Sequence, residues 1–441
     1  MLKLKNKIQF CRFKNIIFLT FWVLVGSQLF FAGQIQASTN WSMLADGAWC
    51  WFQDPRAVSY NNKTYVGAVS TDGNIVILQY DNRTGASTFS ILHEYLNADD
   101  HAAPSILIRP DGRIMVFYSA HLGSEMYYRI STNPENISSW GTETKVNVEN
   151  TPGAGGHTYP SPIQLSGESN KLYLFWRGGN IQPNFSTSTD GGTTWSAVKT
   201  LVNVPDQRPY IKYASDNVDE IHFAFGDGHP DNLTSNNLYY AYYKNGNFYK
   251  ANGTSIGNMS SLPLSPSSAD LVYDDSDNKT RSWVWDIALN GSGRPVIVYA
   301  TFPSPTNHRY WYAVWNGSSW INSEITAAGS FLYVGQEEYS GGITLDHENP
   351  NVVYLSRQIN GQYEIEKWIT NNSGVTWSSE SITANSERKN IRPVVPRGHN
   401  SSGPQVIWEY GVYNSFSEYY MSLMTNLDKF APKAPSGLSV R

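Results

Sequence analysis

The sequence predicts an all-β protein folded as a seven-bladed β-propeller, with six blades as the alternative count. Three observations carry this: an aromatic-rich, charge-poor composition, an internal repeat of turn motifs, and a near absence of helical periodicity. Aromatic residues make up 14% of the 441 positions, including 15 Trp and 28 Tyr, while charged residues reach only 16%, against about 25% in an average domain. The 35 Gly and 22 Pro are spread along the chain, the pattern of many short strands joined by tight turns. Lys and Arg (32) do not exceed Asp and Glu (37), which excludes a basic nucleic-acid surface.

The first element is a secretory signal peptide over residues 1–37. Lys3, Lys5, Lys7, Arg12 and Lys14 precede an apolar run from Ile16 to Phe31. Ile35-Gln36-Ala37 then supplies a small residue at the cut. A membrane anchor is the alternative reading, and the shortness of the run argues against it. Removing these five cations takes the net charge from −5 to −5 − 5 = −10. The mature protein is expected to be secreted, without membrane or nucleic-acid partners, and monomeric. Cys11 lies in the signal, so Cys50 is alone in the mature chain and no intrachain disulfide forms. Between Trp49 and Trp51, Cys50 reads as a buried small hydrophobe.

Residues 38–430 carry the propeller. Ser188-Thr189-Asp190-Gly191-Gly192-Thr193-Thr194-Trp195 fits the Asp-box turn S-x-D-x-G-x-T-W. There the Asp caps turn amides, Gly accepts positive φ and Trp pins the turn to the sheet. Thr370–Trp377 is a decayed copy. Weaker echoes place further turns at positions 72, 133, 245 and 316. Together with those at 190 and 372 they recur at near-equal intervals, except for one wider step between 245 and 316. Each unit reads as four short strands, for example Lys63–Ser70 followed by Asn74–Tyr80. Radial repetition of such units makes a propeller; a β-sandwich would not require so many similar repeats. The segment 431–441, Ala-Pro-Lys-Ala-Pro-Ser-Gly-Leu-Ser-Val-Arg, reads as a linker or the start of a further module resembling fibronectin type III.

Candidate chemistry rests on the nine His residues. His101 precedes the strand Ser105–Ile108, and His121 directly follows the next, Ile114–Ala120. Tyr159 and Arg177 recur at a similar spacing in the following unit. That register would carry four side chains to one face. Each alone has an ordinary structural reading: a satisfied His at a strand end, a packed Tyr before Pro, an Arg that stacks or pairs. Together they supply imidazole and phenol for proton relay and a guanidinium for a carboxylate. Abstracting a proton α to a carboxylate requires its charge to be neutralised first, so the set suits β-elimination on a uronic acid.

Several segments bear a family resemblance. Gly47-Ala48-Trp49-Cys50-Trp51-Phe52-Gln53-Asp54-Pro55-Arg56-Ala57, His157–Pro162, Phe175–Gly178, Arg208–Tyr213, Phe225–Pro230, Trp283–Ala288 and Tyr339–His347 resemble motifs of the BNR-4 repeat family of secreted seven-bladed propellers. The resemblance spans about Trp41 to Ser422 and is strongest to ulvan lyases of polysaccharide lyase families 25 and 24. It implies cleavage of ulvan between sulfated rhamnose and glucuronate or iduronate, leaving an unsaturated uronate end. His101 and Tyr159 would be the proton-transfer pair, in either order. Arg177 would neutralise the carboxylate with help from His121, Arg208 and Tyr210 would contact substrate, and His229 would either bind substrate or serve the structure. No cofactor is required for this chemistry. Some family members hold a structural metal ion; His222, His229 and His347 are scattered candidates here, and no metal site is assigned. An exo-acting rhamnose–glucuronate lyase or hydrolase, a non-catalytic carbohydrate-binding propeller and a sialidase using Arg56, Arg208 and Arg392 are the competing readings.

Overall fold

A computed structural model of the chain describes residues 40–426 except 150, 152, 154 and 279. The proposed signal peptide (1–37) and the tail (431–441) lie outside the described residues. Seven antiparallel sheets follow one another along the chain. The first blade comprises Ala57–Tyr60, Lys63–Val69, Ile75–Asp81 and Ser87–His93. The second has Ser105–Ile108, Ile114–Ser119, Met126–Ile130 and Thr144–Lys145; the third has Thr158–Leu165, Lys171–Arg177, Pro183–Ser188 and Lys199–Thr200. The fifth to seventh start at Ser282–Leu289, Ile343–Leu345 and Lys389–Val394. The expected seven-bladed propeller is thus the observed fold.

Ring closure explains why the repeat count wavered between six and seven. The seventh blade takes its outer strand, Asn40–Leu44, from the start of the propeller, paired with Glu418–Asn426. It therefore has no hairpin turn into a fourth strand, and one repeat signal is missing. The turn assigned at position 72 is out of phase: it joins the second and third strands of its blade, whereas those at 133, 190, 245, 316 and 372 follow the third. The wide step between the turns at 245 and 316 reflects the fourth blade, a six-stranded sheet enlarged by Ser255–Asn258 and Asp270–Tyr273.

Burial follows position in the blade. Second strands are covered on both faces by neighbouring blades, and in Lys171–Arg177 every residue after the first is buried. Outer strands face water, as in the wholly exposed Ser378–Ser381. The Asp box closes as its sequence dictates: Asp190 accepts the Thr193 and Thr194 amides, Gly191 and Gly192 take φ of 73° and 97°, and the Trp195 indole donates to the Gly192 carbonyl.

What fills the ring centre is the segment 48–54, ahead of the first inner strand. The Trp49 indole donates to the Arg392 carbonyl of the seventh blade, and the Cys50 amide donates to the Asp100 carbonyl. Trp51 stacks on Trp285 with ring centroids 4.0 Å apart, and Phe52 packs against Tyr159 and Tyr210. Asp54 reaches Ser161 and Lys212. Trp49 and Trp51 are 0% and 1% exposed, so this aromatic plug divides the axial channel into two ends.

Candidate active site

Inner strands all begin at one end of the channel, and the candidate residues cluster there. Asp99 caps the short 3-10 helix Asp100–Ala102 by accepting the His101 amide. This turn points His101 toward the axis. His121 follows the second strand of the same blade, and Arg177 ends the second strand of the next. Tyr159 sits at a bulge in Thr158–Leu165, with φ of 61°. A left-handed, buried tyrosine inside a strand is sparsely populated backbone, of the kind that accumulates at functional sites.

The structure brings His101, His121, Tyr159 and Arg177 together. The two imidazoles stack 4.1 Å apart at 4°, and Phe416 from the seventh blade packs its ring edgewise against both. One carboxylate holds the pair: His101 Nδ1 lies 2.6 Å from Asp99 Oδ1 and His121 Nδ1 lies 2.8 Å from Asp99 Oδ2. Asp100 Oδ1 makes a further 2.9 Å ion-pair contact with His101 Nδ1. Arg177 donates through Nη2 to His121 Nε2 (3.2 Å) and through Nη1 to the Tyr210 hydroxyl (3.1 Å). Its guanidinium lies 4.8 Å from the Tyr159 ring centre, and its Nε has no partner among the described residues.

Protonation states follow from these contacts. Burial opposes charge on His101, but Cys50, Asp99 and Asp100 outweigh it and raise its pKa well above the ordinary imidazole value. His121 is pushed down, chiefly by burial and also by the charges of His101 and Arg177. It is the neutral tautomer that donates from Nδ1 and accepts at Nε2. Burial likewise raises Tyr159 well above the ordinary phenol value. At neutral pH the site therefore holds an imidazolium, a neutral imidazole, a phenol and a guanidinium. One proton must leave the His101–Tyr159 pair before one member can act as base and the other as acid.

The matching family model, described as BNR repeat-containing family member, covers residues 63–328. The chain belongs to this family. A curated relative, "Ulvan Lyase-PL25" of Pseudoalteromonas sp. (strain PLSV), is 23% identical over 353 residues, spanning 68% of this chain and 67% of that protein. Among solved structures, an ulvan lyase of the PL25 polysaccharide lyase family matches with a TM-score of 0.67 at 15% identity, covering 87% of this chain and 95% of the other. The polysaccharide lyase Uly1 matches with a TM-score of 0.57 at 13% identity, over 89% and 99%. These structural likenesses establish the shared propeller.

Around the four central residues, this BNR_4 member arranges the remaining candidates unequally. Tyr210 contacts Arg177, and the Arg208 guanidinium lies 5.6 Å from the Tyr210 ring centre. His229 stands behind them: it caps Pro230–Asn232, packs 4.6 Å from Trp283 and is held down to about 3, chiefly by burial and then by Arg208 and Arg177. The scattered metal candidates do not converge. His222 engages Tyr240 and Glu220, His229 its own turn, and His347 Asp286, so these residues do not fit a shared ion. Arg56, Arg208 and Arg392 do not form a triad either: Arg56 pairs with Asp54, while Arg392 is fully buried on Asp100, Trp49 and Tyr413.

Four participants escaped the sequence reading. Asp99 and Asp100 orient His101, and their adjacency to it was the available clue. Cys50 is buried as expected, yet its thiol lies 3.9 Å from the Tyr159 hydroxyl. Phe416 arrives from the seventh blade, at the far end of the chain, and no local pattern announces it.

Proposed function

We propose that this protein is a polysaccharide lyase that cleaves ulvan by β-elimination at the linkage between rhamnose 3-sulfate and glucuronate or iduronate. The observation that carries this reading is the Arg177 guanidinium, set against Tyr159 and tied to His121 and Tyr210, beside an imidazole held by two carboxylates. Membership of the BNR_4 family and similarity to an ulvan lyase support it.

Arg177 grips the uronate carboxylate and draws off its charge, which acidifies the C5 proton. The deprotonated member of the His101–Tyr159 pair removes H5. The C5–H electron pair becomes the C4=C5 double bond as the C4–O4 bond breaks. The other member of the pair delivers a proton to O4, so the rhamnose side leaves as a neutral hydroxyl. Asp99 fixes both imidazoles during the transfer, and neutral His121 holds Arg177 in place. Arg208, beside Tyr210, offers a fork for the rhamnose sulfate.

The test is incubation with ulvan, followed by ultraviolet absorbance of the unsaturated uronate, with heparin and pectin as controls. Rising absorbance with ulvan and a ladder of oligosaccharides is the expected result. Folded protein that gives no absorbance with several ulvan preparations refutes the reading, and release of a single terminal unit replaces endo by exo action.

A further inference from the structure

A sizeable cavity among the described residues lies away from the candidate active site. It opens at the other end of the axial channel, beyond the plug, with a volume of about 780 Å³. Its walls are the far ends of the inner strands and the turns after them, marked by Ile108, Gln164, Ser215 and Leu289. A propeller always has such a mouth, so the cavity alone argues nothing; the charges at its floor do.

Five ionic side chains meet there. Asp54 pairs with Arg56 (3.1 Å) and with Lys212. Asp286 accepts the Thr344 hydroxyl and the Leu345 amide and faces His347 Nε2 at 3.1 Å. Arg397 Nη2 bridges the two carboxylates through the longest ion pairs of the set, 3.9 Å from Asp54 and 3.7 Å from Asp286. Two carboxylates thus meet three cations, Arg56, Lys212 and Arg397, before any charge on His347. The Arg397 backbone is pinned to Ala57 and Ser59. Its guanidinium, on a side chain 22% exposed to the cavity, donates no hydrogen bond to any described residue. Glu348 on the same wall is committed to the Gly398 amide and makes no ion pair with these cations. The floor thus carries one cation more than its carboxylates, and a guanidinium held only by these long ion pairs can turn its fork to an oxyanion.

The rest of the wall specifies what carries that oxyanion. Carboxamides of Gln164, Asn170, Asn217 and Asn290 line the cavity. A volume of this size accepts a sugar or disaccharide rather than a bare ion. We propose that this far mouth is a second, non-catalytic site for an acidic saccharide unit, with the carboxylate on Arg397 and the sugar hydroxyls on the amides. It is separated from the candidate active site by the plug, and it stands whether or not the protein is a lyase.

The experiment is calorimetric titration of glucuronate, inorganic sulfate and rhamnose into the full-length Arg177→Ala protein, in which the carboxylate clamp of the near face is gone. Glucuronate is expected to bind, sulfate to bind at least tenfold more weakly and rhamnose not to bind. Adding Arg397→Gln should weaken glucuronate at least tenfold. Gln164→Trp, which fills the mouth without disturbing the ionic floor, should abolish binding and carries the test if the Arg397 variant does not fold. Absence of glucuronate binding, binding that neither added variant alters, or sulfate binding as tight as glucuronate would overturn the proposal. Because no turnover is read, failure of the lyase reading leaves this result interpretable.

Discussion

Removing one oxygen atom from Tyr159 separates chemistry from fold. In Tyr159→Phe the ring keeps its neighbours: Phe52 at 5.5 Å, His101 at 5.5 Å, Tyr210 at 6.2 Å and the Arg177 guanidinium at 4.8 Å. The hydroxyl's contact within the protein is a Cys50 thiol at 3.9 Å, weaker than an ordinary hydrogen bond and therefore worth less than about 1 kcal/mol of stability. The backbone at φ 61° is equally demanding for Phe. Thermal unfolding should thus be nearly unchanged. Turnover should not be, because a positioned proton-transfer group contributes about 10²- to 10⁴-fold, or roughly 3–5 kcal/mol of barrier. The assay is initial-rate absorbance of unsaturated product across a range of ulvan concentrations, beside a melting curve. KM should stay close to native, since Arg177 is untouched. A folded variant with kcat within tenfold of native would refute the role assigned to Tyr159.

Three further outcomes follow from the same geometry. Arg177→Lys keeps a charge but loses the fork on Tyr210 and His121; losing one charge-assisted hydrogen bond of about 1.5–3 kcal/mol should lower kcat about 10- to 150-fold, and an unchanged kcat would show that the fork is idle. Asp99→Asn removes a carboxylate that holds His101 above the ordinary imidazole pKa; the native kcat/KM should climb as pH rises through that elevated value, and the variant's rising limb should move to lower pH, measured as a full pH–rate profile. Glu409, fully buried against the Trp49 amide, has its pKa raised to about 8, chiefly by burial. Its contribution to stability is complete below the usual carboxylate range and lost as pH rises toward 8, a span on the order of 5 kcal/mol; Glu409→Gln should flatten the dependence of unfolding free energy on pH between 5 and 8, measured by denaturant titration.

Local patterns carried the fold a long way. The Asp box at 188–195 is legible because its capping bonds join near neighbours in the chain, and strand alternation and turn spacing are equally short-ranged. The turn at 72 misled because Ser70-Thr71-Asp72-Gly73 has turn chemistry without saying which pair of strands it joins. The blade count stayed open because closure pairs Asn40–Leu44 with Glu418–Asn426, from opposite ends of the propeller segment. Residues 48–54 were visible as a motif, yet nothing in them says that they cross the channel and that their aromatic rings become its floor.

Short-range order in the chain was thus enough to dictate the strand-rich repeat, and the spacing that sends His101, His121, Tyr159 and Arg177 to one end of their strands, because both depend on periodicity between neighbouring strands. The states of those residues came from the tertiary fold alone: a charged His101, a neutral His121, a phenol held against a thiol, and an Arg397 shared between two carboxylates at the opposite mouth. Protonation and pairing depend on burial and on which distant side chains meet around the axis. Ring closure sets those meetings, and it is a property of the whole chain.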